Sequence, residues 1–216
     1  LANLLKNPRE SITFDAEQHR ALLARAAREG ADGRLLHDAK GNLHLVTLAE
    51  KLLVPVLVKL TNLVPEGGIW LNTQRPEWND ANNALAGWGL SVVTVAHLRR
   101  YLDFLAGVAR RAGEEAVPLT APTAQLLADV TAELTRLQKA PSRGWTARQR
   151  YASMLALGRA GERHRRAVYD GRFEKRVDVP AASFPAFAEI ARAVVDDTLR
   201  ANRRSDGLFH SYNVLH

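Results

Sequence analysis

The sequence predicts an all-α protein in which one or two short β-hairpins interrupt a set of helices. Apolar residues recur mainly at three- and four-residue spacing, the period of an amphipathic helix. Capping residues precede several of these segments, and prolines and glycines separate them. The chain has 216 residues, 46% of them hydrophobic, which is enough to build a core for one domain over residues 1–216. We therefore expect about six substantial helices.

The first of these helices is predicted over residues 16–28. Asp15 precedes it as an N-cap, and Gly30 stands just past its end. The spacing of Leu22, Leu23 and Ala26 indicates that these three side chains face the core.

Residues 34–46 break the helical period. Two short apolar runs, 35–37 and 43–45, flank Lys40-Gly41-Asn42, which predicts a small β-hairpin with a glycine turn, with short helical turns as the alternative. A second helix is predicted over residues 47–63. Pro55 removes one backbone donor within it, so we expect a kink or a division there.

Four further helices are predicted over residues 91–111, 123–139, 147–167 and 184–201. The first of these helices has a continuous apolar stripe along one face. Pro118 and Pro122 lie in the connection that follows it and separate it from the next helix. The predicted N-caps are Ser91, Thr146 and Ser183. Residues 169–179 are expected to form a loop or a short extended pair that turns at Asp170-Gly171.

The stretch from Trp70 to Gly89, WLNTQRPEWNDANNALAGWG, is the strongest indication of function. It holds three of the four tryptophans together with two carboxylates, an arginine and several asparagines. Tryptophan faces stack on pyranose rings, and asparagine and arginine hydrogen-bond to hydroxyl groups. A carboxyl group there can exchange a proton with a glycosidic oxygen. The alternative is a polar interhelical loop whose tryptophans pack into nearby core.

The segment Glu77-Trp78-Asn79-Asp80 resembles the Asp-Trp-Asn-Asp segment of the cellobiose phosphorylase and cyclic glucan synthase family of inverting glycoside phosphorylases. That resemblance implies an (α/α)6 barrel as the catalytic domain. It also implies that Glu77, at the position of the family's first acidic residue, is the general acid. Glutamate in place of aspartate keeps the acid and lengthens its side chain by one methylene.

The remaining site residues follow from the same stretch. Burial of Glu77 against the neighbouring tryptophans would raise its pKa and keep it a proton donor near neutrality. Asp80 is expected to cap a helix or bind a sugar hydroxyl rather than act as a base. Arg75 either binds phosphate or pairs with Glu77. The residues predicted to shape the sugar subsite are Trp70, Arg75, Trp78, Asn79, Asp80, Asn82 and Asn83.

The expected substrate is a disaccharide or oligosaccharide, with no cofactor and no metal. In an inverting hydrolase a second carboxylate, about 6.5–9.5 Å from the acid, activates water, whereas a phosphorylase uses bound phosphate instead. Inorganic phosphate is therefore an alternative co-substrate. The seven histidines show no pair with the spacing of a helical metal site.

Six helices make only half of a twelve-helix barrel. We therefore expect this chain to be part of an (α/α)6-barrel-like array, completed either by the remainder of its own longer protein or by a partner chain. The alternative function is a non-catalytic helical module that binds a glycan or a partner protein. The C-terminal residues 207–216 are interpreted as a tail docked by Phe209 and Tyr212, or as a further site segment.

Composition argues against other classes of function. No apolar run is long enough to predict a membrane span, and the chain contains no cysteine, which fits the cytoplasm without requiring it. The net charge is +7, but the basic residues are spread along the chain. The densest run, residues 159–166, is interpreted as a solvated helix face. Nucleic acid is therefore not the expected partner. A basic helical protein that binds nucleic acid is kept as the third alternative.

Overall fold

The computed structural model describes residues 1–7, 14–38, 40–71, 85, 87–113, 115–139 and 144–215. These residues form a mixed α and β fold, with helices accompanied by two antiparallel sheets. The prediction of an all-α protein was therefore wrong. The strands are only two to five residues long and lie directly beside helices, so a period-2 pattern has too few residues to register.

The helices are numbered here in chain order, and their bounds are close to the predicted ones for most of the chain. They are α1 (Ala2–Lys6), α2 (Ala16–Glu29), α3 (Leu48–Leu60), α4 (Val92–Ala112), α5 (Ala121–Gln138), α6 (Ala147–Tyr169) and α7 (Ser183–Ala201). A 3-10 turn (Ala31–Arg34) follows α2.

Three of the four predicted N-caps are confirmed. Asp15, Ser91 and Thr146 each accept a hydrogen bond from the backbone N–H three residues on. Thr146 and Gln149 form a reciprocal capping box. The fourth prediction was wrong, because α7 begins at Ser183 itself and Ala182 precedes it without a side-chain cap.

The core is built by α3 to α7. Helix α4 packs along α7, and α5 packs along both α6 and α7. Residues such as Leu57, Leu102, Leu134, Leu157 and Val195 are fully or almost fully buried. Helix α2 contributes no buried residue to the described part of the protein, and Leu23 is 45% exposed. The prediction that one face of this helix packs into the core was therefore wrong. Its period is helical, but among the described elements it packs mainly against the 3-10 turn that follows it, and Leu22 and Ala26 are only half-buried.

The first sheet has the order β1 (Leu63–Val64), β2 (Gly68–Trp70), β3 (Gly89–Ser91) and β6 (Tyr212–Val214), all antiparallel. Its register pairs Trp70 with Leu90 and Ser91 with Tyr212. The C-terminal segment therefore docks as a strand, through its backbone. Phe209 is 48% exposed and does not anchor it.

The second sheet pairs β4 (Ala116–Thr120) with β5 (Arg176–Pro180). Sequence patterning missed β4, because Pro118 argued for a plain connection and β4 has few alternating positions. In a two-stranded sheet both strands are edges, which is where proline is tolerated. Residues 169–179 were expected to form a loop or a short extended pair, and β5 covers most of the second half of that range, but its partner is β4.

Two other local expectations are met only in part. Helix α3 continues through Pro55 to Leu60 without dividing. The hairpin around Gly41 is reduced to a single bridge between His37 and Leu43, with the turn held by the Asp38 side chain, which accepts from the backbone of Lys40 and Asn42. Within the described ranges, no helix combines the length and apolarity needed to cross a bilayer.

Candidate functional site

Most of the predicted site lies outside the described residues. Arg75, Glu77, Trp78, Asn79, Asp80, Asn82 and Asn83 all belong to the stretch 72–84, of which the structure describes nothing. What it does describe is the base of that segment, together with Trp70 and Trp88 on either side.

The two ends of the segment are joined at one point of the first sheet. The N–H of Leu71 donates to the carbonyl of Gly89 at 2.8 Å, and the N–H of Gly87 donates to the carbonyl of Leu71 at 2.7 Å. These bonds extend the β2–β3 ladder beyond its last paired residues. Leu71 and Gly87, the described residues that flank positions 72–86 on either side of Leu85, therefore lie next to each other at the edge of this ladder.

Trp70 supports this base from inside the protein. It is 4% exposed and belongs to a small core cluster with Val64, Leu90 and Met154. Its indole N–H donates to the carbonyl of Gly87 at 2.9 Å, across the mouth of the segment. Within the described part of the protein, this burial leaves no ring face of Trp70 accessible for stacking on a sugar. Its hydrogen bond instead holds the backbone at Gly87 in place.

Trp88 is the tryptophan that remains accessible at the base, with 40% of its surface exposed. Its backbone is fixed on both sides, since its N–H donates to Leu85 and its carbonyl accepts from Leu215. Sequence reasoning counted Trp88 in the stretch but gave it no role. Its position between Gly87 and Gly89 was a usable signal, because neither neighbour has a side chain to cover the ring.

A second polar cluster lies away from this segment and was not predicted. Glu50, in the first turn of α3, is 2% exposed. Its carboxylate accepts the backbone N–H of Thr120 at 3.0 Å, the Thr120 hydroxyl, and one N–H of Arg176 at 3.3 Å. Thr120 is the N-cap of α5, so the carboxylate also lies at the positive end of that helix. This buried charge is thus well satisfied and ties α3 to α5 and β5.

From Glu50 the cluster extends to a histidine. The hydroxyl oxygens of Thr120 and Thr123 are 2.9 Å apart, and the Thr123 oxygen is 3.5 Å from Nε2 of His164 on α6. Burial lowers the pKa of His164, against an upward influence of the Glu50 charge and a further lowering by Arg165. His164 is therefore neutral near pH 7.

The charge of Glu50 also acts on a second histidine, His44. Its ring centroid is 4.0 Å from that of Phe173. Burial lowers its pKa, and the Arg176 charge lowers it further, while Glu50 and Asp38 raise it. Arg176 is fixed between Glu50 and the carbonyl of Leu45, which accepts from its second nitrogen at 2.6 Å.

The basic residues of segment 159–166 were predicted to form a solvated helix face. Arg159, Arg163, Arg165 and Arg166 are indeed exposed, but Ala160 is buried and His164 half-buried. The signal was present in the spacing, since positions 160, 164 and 167 share one face of a helix. Among the described residues, no group of three histidine or acidic side chains is arranged to hold a metal ion.

Comparison with known proteins does not extend this description. No protein-family model matches the chain, and no curated protein matches it at a significant level.

Proposed function

We propose that the protein cleaves or transfers glycosidic bonds by an inverting mechanism with Glu77 as the general acid. The observation that carries the proposal is the sequence Glu77-Trp78-Asn79-Asp80, set among further tryptophans and asparagines. Its residue types suit a saccharide site, and the segment resembles the acid-bearing segment of the glycoside phosphorylases named above.

The described base of the segment supports the proposal. A general acid must be held close to one oxygen atom, which requires a segment fixed at its ends. Leu71 and Gly87 are joined by a ladder bond, and Trp70 adds a side-chain bond across the same point. Trp88 offers an accessible indole next to this point, of the kind that stacks on sugar rings.

In the proposed reaction, Glu77 donates its proton to the glycosidic oxygen as the bond to the anomeric carbon breaks. The nucleophile attacks the opposite face of that carbon, so the configuration inverts. Trp78 stacks on the sugar, and Asn79, Asn82 and Asn83 bind its hydroxyl groups. Asp80 binds a hydroxyl or caps the local backbone.

Water and inorganic phosphate are both competent nucleophiles for this step. Phosphate would need cationic donors, and Arg75 is the candidate within the segment. A hydrolase would instead need a second carboxylate, for which we assign no residue. A cytoplasmic location also remains a prediction.

A non-catalytic module that binds a glycan or a partner protein is the second candidate. One observation favours it, namely a wide groove of about 810 Å³ between α5, α7 and β5. Its lining is mainly apolar and includes Leu127, Val179, Phe187 and Ile190. Exposed apolar grooves of this size often receive another polypeptide.

The two candidates are separated by a screen for turnover. The protein is incubated with di- and oligosaccharides, with and without inorganic phosphate, and the products are followed by proton NMR of the anomeric signals. We expect release of a sugar, or of a sugar phosphate when phosphate is required, with the first-formed anomer inverted. Binding without turnover on every substrate would favour the non-catalytic module, and a retained configuration would exclude the inverting mechanism.

A further inference from the structure

A cavity of about 400 Å³ lies between α5, α6 and the turn that follows α6. This volume is within the range of small-molecule sites. Its apolar walls are formed by Pro122 and Leu126 from α5 and by Ala160 and Ala167 from α6. The residues belong to neither end of the Glu77 segment, so nothing in this subsection rests on the function proposed above.

Three arginines line this cavity: Arg163, Arg166 and Arg172. Each is bonded to a single carboxylate oxygen through one terminal nitrogen. The partners are Asp129 at 2.6 Å, Glu162 at 3.0 Å and Asp170 at 2.8 Å, respectively.

The remaining guanidinium N–H groups are not bonded to any described residue, and the three side chains are 60%, 73% and 66% exposed. A guanidinium has five N–H donors in a planar fork that fits phosphate and carboxylate oxygens. Asp129 is the only acidic side chain among the described lining residues, so the lining itself has three arginines against one carboxylate, while Glu162 and Asp170 pair with Arg166 and Arg172 from outside it.

His164 is the one lining residue whose orientation is set from the interior. The Thr120 hydroxyl has a single proton, which it donates to the Glu50 carboxylate. Thr123 then donates to the Thr120 oxygen, and its own oxygen is left to accept from Nε2–H of His164. In this series of hydrogen bonds, the neutral His164 ring carries its proton on Nε2. Nδ1 is the nitrogen that gains a proton when the ring is charged.

We propose that this cavity binds a small molecule that bears an oxyanion, either a phosphate or a carboxylate, on a body about the size of a monosaccharide. The three arginines bind the anionic group, the apolar walls accept the body, and His164 adds a donor at Nδ1 when it is protonated.

The protonation of His164 gives the site a characteristic pH dependence. Burial keeps the pKa of the free ring low, and a bound anion favours the charged ring, so affinity rises as the pH falls. The charged groups that act on the ring come from every neighbouring element. Glu50 on α3 raises the pKa of the ring and Arg165 on α6 lowers it, while Asp129 on α5, Arg163 and Arg166 on α6, and Arg172 in the turn line the same cavity.

The test is a calorimetric titration of the whole chain with sulfate, with glucose 1-phosphate, with glucuronate and with uncharged glucose. Sulfate keeps its charge between about pH 5 and 8, where histidine titrates, so its pH dependence reports the protein alone. We expect the anions to bind and glucose not to bind. Stronger binding of glucose 1-phosphate than of glucuronate would identify phosphate as the preferred group, and the reverse order would identify carboxylate.

Arg172→Gln should weaken binding of the preferred anion about tenfold, the usual effect of losing a charge-assisted contact. Arg159→Gln is the matched control, because Arg159 is an exposed arginine on α6 that does not line the cavity. His164→Gln should remove the pH dependence of sulfate affinity, and the His164 ring proton signal should shift on titration of the wild type. The proposal is overturned if neither anion binds, or if both arginine variants weaken binding equally.

Discussion

At the scale of single residues, the most consequential side chain in the described structure is the buried carboxylate of Glu50. It is bonded by the backbone and hydroxyl of Thr120 and by Arg176, which come from two other elements. A buried charge is tolerated only when its hydrogen-bonding capacity is met. Glu50 therefore makes the relative placement of α3, α5 and β5 depend on one side chain.

Glu50→Gln should lower the free energy of unfolding by about 2–4 kcal/mol, since an amide NH2 then faces a donor and the partners lose a charged acceptor. Urea unfolding followed by circular dichroism measures the change. Glu189→Gln is the control, because the Glu189 pair with Arg110 is on the surface at 2.8 Å and should contribute less than about 0.5 kcal/mol. An equal loss of unfolding free energy in the two variants would contradict the role of Glu50 in holding α3, α5 and β5 together.

Trp70→Phe should lower the free energy of unfolding by about 1–3 kcal/mol, because the buried carbonyl of Gly87 loses the bond from the indole N–H. Trp145→Phe removes an indole that has no such bond with a described residue, so a smaller change is expected. Thermal or urea unfolding of both variants provides the comparison. A smaller loss for Trp70 than for Trp145 would show that the bond across the segment base is unimportant.

The residue scale also shows what sequence reasoning about the site can reach. Trp70 was assigned to the sugar subsite because tryptophan in a polar stretch suggests stacking, yet the ring is buried. Its burial depends on Met154, far along the chain, and local sequence does not indicate that contact. The cluster of Glu50, Thr120 and His164 was missed for the same reason, since its members come from three separate helices or their caps.

At the scale of elements, the C-terminal end of α3 lies close to α6 at Gly161, which faces Thr61, the C-cap residue of α3. A Cβ atom built there would lie 2.8 Å from the Thr61 hydroxyl oxygen and 3.0 Å from Thr61 Cβ. Thr61 is itself fixed, because its hydroxyl donates to the Val58 carbonyl at 2.8 Å. The contact between the C-cap of α3 and this face of α6 therefore requires glycine at position 161.

Gly161→Ala should destabilise the protein by about 1–3 kcal/mol through overpacking. Gly107→Ala, in the middle of α4, is the matched control with the opposite sign. Its nearest neighbour would be the flexible end of Arg111 at 3.3 Å, so the higher helix propensity of alanine should stabilise by about 0.5–1 kcal/mol. Melting temperatures of the two variants should lie on opposite sides of the wild type; a stabilising Gly161→Ala would contradict the close approach.

Helices were predictable from the sequence because period and caps are local. Ser91 and Thr146 cap the helices that were assigned to them. The strands were not predictable from the sequence, because β3 and β6 have three residues each and are defined by the strands with which they pair. A segment of three residues acquires its identity from a strand that is more than a hundred positions away.

At the scale of the whole molecule, the pH dependence of stability should reflect His44 and His164. Burial lowers the pKa of both below 6.5, the unfolded value. Below that pH the unfolded chain binds more protons than the native one, so their contribution is complete above about pH 6.5 and is lost as the pH falls toward the native values.

Urea unfolding between about pH 7.5 and 5 should therefore show stability decreasing with falling pH. A variant with both His44→Gln and His164→Gln should show a shallower slope over the same interval. Stability that rises on acidification in the wild type, or an unchanged slope in the double variant, would contradict this assignment.

The proposed role of Glu77, delivery of a proton to the leaving oxygen, predicts that Glu77→Gln will respond differently to two leaving groups. On a glycoside that the wild type turns over, the variant should lose about a hundredfold or more in kcat/KM, the usual contribution of a general acid. On the corresponding glycosyl fluoride, whose leaving group needs no proton, it should retain most of its rate. Glu115→Gln, at an exposed position, should change neither rate. Equal loss on both substrates, or no loss on the glycoside, would contradict the role of Glu77 as the acid.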